Sequence, residues 1–144
     1  MTINIIKLCV GITDVDHLAR AQGERLKKQK SMGIKPELRH VTRNHPRRST
    51  EVLDNGSLYW VIKGFIRVRQ PIIGLEDAVN DEGKPACAII LSNQLIKTQL
   101  RKFRAFQGWR YFKCEDAPDD INDQNGEATI PDSMAEELKK LGLL

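Results

Sequence analysis

The run Leu58–Ile62 (LYWVI) constrains this chain more than any other stretch, because it is aromatic, β-branched or aliphatic at every position. A strand with one face in water alternates polar and apolar residues. An unbroken run demands cover on both faces, as a central strand has. Lys63-Gly64 then allows a turn or bulge, and Phe65–Leu75 reads as a second strand interrupted at Pro71. In it Ile66 and Val68 are expected on one face, with Arg67 and Arg69 on the other.

The flanking segments follow from periodicity and turn chemistry. Thr2–Val10 alternates as a strand and ends at Gly11. Thr13-x-x-Asp16 resembles a capping box, and Val15, Leu18, Ala19, Gln22 and Leu26 recur at helical spacing. That helix has a basic polar face (Arg20, Arg25, Lys27, Lys28, Lys30) and ends at Met32-Gly33. Glu37–Thr42 is short and extended, Arg43–Arg48 (RNHPRR) is a loop, and Ser49 caps one helical turn through Leu53. Asp54-Asn55-Gly56 is a stop signal. Asn80–Gly83 is a hairpin loop into a strand over Ala86–Leu91. Ser92–Ile96 reads as a short turn or helix before a basic segment to Arg104, and Phe106–Phe112 (FQGWRYF) is a last aromatic strand. Residues 115–130 read as an acidic linker or loop leading to a closing helix with Met134, Leu138 and Leu141 on one side. The expectation is one α+β domain over residues 1–144: a small, mostly antiparallel, partly closed β-barrel flanked by an N-terminal and a C-terminal helix.

Charge narrows the class of partner. The 144 residues carry a formal charge of +4, unevenly distributed. Ten Lys/Arg face only Glu24 and Glu37 between Arg20 and Arg48, and six bases meet no acid between Lys97 and Lys113, whereas Cys114–Leu144 has nine acids against two lysines. A basic body with an acidic tail suits a polyanion, or the two parts neutralise each other. The N-terminus lacks a continuous apolar signal segment and no stretch is long enough for a membrane span, so a cytoplasmic protein is expected. Cys9, Cys87 and Cys114 are odd in number and have no CxxC pair, which favours free thiols over a disulfide framework or a zinc site.

No GxSxG, P-loop, GxGxxG or HExxH signature is present, so an enzymatic role has no motif behind it. No cofactor is implied, and His40-x4-His45 lacks companion ligands for a metal. Two constellations remain. His40 and His45 flank a loop with Arg43, Arg47 and Arg48 that could clamp a phosphate; neighbouring arginines would disfavour the imidazolium of His40 and leave it a base. The other is aromatic and basic together: Tyr59, Trp60, Lys63, Arg67 and Arg69, with Gln107, Trp109, Arg110 and Tyr111. Aromatic faces stack bases, Lys and Arg hold the backbone, and Gln107 beside Gly108 could read a base edge. Neighbours in a strand point to opposite faces, so Tyr59 and Trp60 are not both expected in the core.

Several runs carry a resemblance: IKLCVG (Ile6–Gly11), HVTR (His40–Arg43), GSLYWVIKG (Gly56–Gly64), RQPIIGLE (Arg69–Glu76) and FQGWRYF. They resemble a family of uncharacterised proteins, mostly alphaproteobacterial, whose domain is of unknown function. A weaker likeness, in LYWVIKG, Ile72-Ile73-Gly74 and the late basic-aromatic strand, is to the PUA-like superfamily with its ASCH, EVE and YTH domains. That likeness implies a small barrel and a cleft for RNA or a modified base.

The leading functional expectation is therefore a nucleic-acid-binding module for RNA or a modified nucleotide. Six phosphate contacts to a single strand would make log K fall with log salt at a slope of about −4. The alternatives are a small hydrolase or transferase acting on a phosphate-bearing metabolite, with His40 as base and Arg43 and Arg47 as clamps, and a protein-interaction module using the tail Asp116–Leu144.

Overall fold

The apolar run is covered on both sides, as its composition demands. In a computed structural model describing residues 2–121, every residue of β3 (Ser57–Ile62) is buried. It lies between β1 (Ile3–Leu8), parallel to it, and β4 (Phe65–Val79), antiparallel to it. Leu58, Trp60 and Ile62 enter one hydrophobic cluster with Ile3, Ile5 and Val68; Tyr59 and Val61 enter a second with Ile6, Ile66 and Phe112. Tyr59 and Trp60 are thus both core, at 7% and 4% exposure. The expectation that one of them would be free presumed a sheet with one dry face, and this sheet has two.

The turn after β3 is a two-residue hairpin. Lys63 and Gly64 both have positive φ (48° and 81°), which suits the right-handed twist of the flanking strands. β4 then departs from simple alternation. Val61 pairs with Ile66 but Trp60 pairs with Val68, so Arg67 is an extra residue in a β-bulge. The bulge puts Ile66 in one cluster and Val68 in the other, correcting the expectation of a shared face.

Pro71 does not end β4. The strand's first half pairs with β3 on one edge and with β6 (Ile96–Lys102) on the other, and its second half pairs with β5 (Pro85–Leu91) after another register shift between Ile72 and Gly74. The loop joining β4 to β5 is held by Asn80, whose side-chain oxygen accepts from the backbone N–H of Glu82 and Lys84, each at 2.9 Å. β6 is a strand where a turn and basic segment were expected. Its single fully buried residue, Thr98, offers almost no apolar periodicity to read.

The strand order is β2-β5-β4-β3-β1-β7, with β2 at Leu38–Thr42, β7 at Trp109–Lys113, and β6 on the free side of β4. β1 and β3 are the parallel pair; the other pairings are antiparallel. The sheet is open: no ladder joins β2 to β7, so the expected closure into a barrel is not made. β7 also starts later than expected, leaving Phe106–Gly108 in the loop before it.

The long helix α1 (Val15–Ser31) buries Val15, Leu18 and Gln22 against the first cluster. Its N-cap is Asp14 rather than Thr13: the Asp14 carboxylate accepts from the His17 N–H at 2.7 Å. One short turn, α2 (Ser49–Val52), leads into β3. No described helix is long and apolar enough to cross a membrane. The closing helix expected after Pro131 lies outside the described residues, as does most of the acidic linker.

Candidate functional site

The open seam of the sheet is bridged by side chains, and that bridging makes a groove. The Trp109 indole N–H donates to the carbonyl of Asn44 at 3.0 Å, and the Tyr111 hydroxyl accepts from the Arg48 backbone N–H at 3.1 Å. The loop after β2 and the strand β7, some 65 residues apart, are thereby fastened together. Between them lies a groove of about 730 Å³ lined by Asn44, His45, Arg47, Trp109, Arg110 and Tyr111. Trp109 and Tyr111 meet edge to face with centroids 5.0 Å apart, and both rings are half-buried. Each has one part packed on the first cluster and another facing the groove.

Charge in this groove comes from a few residues. Arg47 and Arg110 line it and are exposed, and Arg110 stands over the Phe106 ring at 4.7 Å. Arg43 is exposed on the same loop. Arg48 flanks the groove with its guanidinium 5.5 Å from the Tyr111 ring, but its charge is engaged by Glu51 through a hydrogen bond. The groove therefore unites part of the first basic stretch with the end of the second. Lys97, Arg101 and Lys102 do not line it; they belong to β6, which pairs with β4.

Six expected site residues have other placements. Tyr59 and Trp60 are buried and present no stacking face. Arg67 is 2% exposed, donates from Nε to the Ile62 carbonyl at 2.7 Å and lies over the Phe65 ring. Arg69 makes a bidentate pair with Asp120, both contacts 2.8 Å, and also reaches Ser57 Oγ. Lys63 is exposed in the β3–β4 turn. Gln107 is exposed too, but ahead of β7 rather than within a strand, next to Gly108 at φ 71°.

His40 lines a different cavity, between α1 and the sheet, of about 270 Å³. Neither Arg43 nor Arg47 lines it. His40 packs edge to face on Trp60 with centroids 5.2 Å apart. Burial, and then the charges of Lys7 and Arg25, lower its pKa to about 4. The direction is the expected one, but the cause is burial and two other cations, not the arginine loop. Nearby, Gln22 and Gln70 form a reciprocal amide pair, and Gln70 Oε1 also accepts from the Trp60 indole N–H at 3.1 Å. Lys7, Gln22 and Gln70 are not among the expected site residues, and Arg25 is expected only as one base of the helix face. The signal was in the sequence: a lysine inside an apolar strand, and a glutamine on the apolar stripe of a helix.

The three cysteines are free, with Cys9 half-buried, Cys87 buried and Cys114 exposed. Burial pushes the Cys9 thiol up to about 12, so it is no nucleophile at neutral pH. No group of three His, Cys, Asp or Glu among the described residues is placed to hold a metal.

The chain belongs to the protein family DUF1489, described as a protein of unknown function, whose model matches residues 5–144. No curated protein and no solved structure matches it.

Proposed function

We propose that this member of the DUF1489 family binds single-stranded nucleic acid, RNA or a modified nucleotide, along the groove between the Arg43–Arg48 loop and β7. The observation that carries the reading is the Trp109–Asn44 hydrogen bond at 3.0 Å, which sets a half-buried indole beside Arg47 and Arg110. A ring fixed at one edge pays little entropy to stack a base, and stacking contributes roughly 1–3 kcal/mol per base. Arginines at either side supply phosphate contacts that tolerate any sequence.

The charge count is smaller than the sequence suggested. With Arg43, Arg47 and Arg110 as the phosphate-contacting bases, the salt slope for a single strand falls to about −2. Fluorescence anisotropy of a labelled oligouridine, titrated with protein at several salt concentrations, tests this. Arg47→Glu with Arg110→Glu is expected to weaken binding more than tenfold, alike across oligonucleotide sequences, whereas Trp109→Phe, which keeps an aromatic ring but loses the bond to Asn44, is expected to change base preference. A flat salt response, or unaltered binding by the double charge reversal, sinks the reading.

A further inference from the structure

The cavity under α1 has features that the groove reading does not use. Its walls are apolar on several sides, from Leu18, Leu38, Leu91 and the Trp60 ring. At about 270 Å³ it sits near the lower end of small-molecule sites, which run from about 300 Å³ upward. No carboxylate lines it.

Its polar groups are arranged unevenly. Gln22 and Gln70 satisfy one another, and the Trp60 indole N–H is satisfied by Gln70. Arg39 is also occupied, pairing with Glu37 at 3.3 Å and Glu76 at 2.7 Å. Two cations are left: among the described residues Lys7 and Arg25 line the cavity and make no ion pair.

We infer that this cavity is a binding site for a small organic anion: an apolar body held against Trp60, Leu18 and Leu38, with its anionic head between Lys7 and Arg25, beside the His40 ring. The two cations supply charge-assisted contacts on a side of the cavity that holds no competing acid. This site is independent of the nucleic-acid groove, because Arg47, Trp109 and Arg110 do not line it.

The test uses the full chain and nuclear magnetic resonance of its imidazole and indole groups, with benzoate, phenyl phosphate and neutral benzamide as probes. Benzoate or phenyl phosphate is expected to saturate, moving the signals of His40 and Trp60 while those of His45 stay put. The tighter of the two identifies the head group as carboxylate or phosphate. Benzamide, matched in shape and uncharged, is expected to bind at least tenfold more weakly. Lys7→Gln and Arg25→Gln should each weaken the anion about tenfold, as loss of a charged hydrogen bond does. Ala21→Leu, which fills the cavity from α1, should abolish binding. Equal affinity for benzoate and benzamide on the unaltered protein, or anion binding that leaves His40 unmoved, overturns the inference whether or not the variants fold.

Discussion

At the scale of single residues, His40 shows how burial and charge act in the same direction. Its folded pKa of about 4 lies below the ordinary 6.5 because the imidazolium would be desolvated and would face Lys7 and Arg25. A group whose pKa is depressed on folding binds fewer protons folded than unfolded. Its contribution is complete above pH 6.5 and is lost as pH falls toward 4, by about 2–3 kcal/mol in all for a site that keeps some solvent contact. Urea unfolding of the wild type and of His40→Leu, at pH 7 and at pH 4.5, measures this directly. The wild type should lose more stability than the variant over that interval; equal losses would show that His40 is as easily protonated folded as unfolded. The same charges explain why loop arginines were the wrong suspects. Sequence proximity placed Arg43 beside His40, but a β-strand carries successive side chains to opposite faces, and the cations that reach the ring come from β1 and α1.

Among the elements, the junction of α2 with β3 leaves no room for a methyl group at Gly56. A Cβ on Gly56 would lie 2.2 Å from the Val52 carbonyl oxygen and 2.5 Å from that of Ile3, both backbone atoms that cannot swing away. Gly56 also donates to the Val52 carbonyl and accepts from the Ile72 N–H, each at 3.0 Å, so the junction ties α2, β3 and β4 together. Gly56→Ala is expected to cost at least about 2–3 kcal/mol, seen as a lower urea midpoint, while Gly23→Ala on the open face of α1, with nothing near its Cβ, should be neutral or stabilising. Similar costs for the two substitutions would mean that the close approach at Gly56 relaxes freely. The stop signal Asp54-Asn55-Gly56 was legible in the sequence; why its glycine is needed was not fully so, because one of the two oxygens that exclude a methyl group comes from β1, more than fifty positions earlier.

For the whole molecule, an open sheet must hold its two ends by something other than a ladder. Here that is the pair of bonds from Trp109 to Asn44 and from Arg48 to Tyr111. Tyr111→Phe removes one acceptor and leaves the ring in place. It should cost about 1 kcal/mol and speed amide hydrogen exchange at Arg48 and its loop neighbours, with little change in β3 and β4. Exchange at Arg48 unaltered by the substitution would argue that the seam is held without this bond. The seam also decides the reading of function, since the groove exists only where β7 and the loop after β2 meet.

What the chain's own order of residues determined is local. The central strand, the two-residue hairpin at Lys63-Gly64, the long amphipathic helix and the Asn80 loop follow from periodicity and turn chemistry within a few positions. Tertiary structure decided what depends on distant pairing: that both faces of β3 are dry, that a bulge turns Arg67 inward, that β6 is a strand, and that Arg69 is consumed by Asp120. It also decided that Trp109 meets Asn44. Side-chain direction in a strand has period two, so one inserted residue or one added layer reverses which groups are inside, and no short window of sequence carries that information.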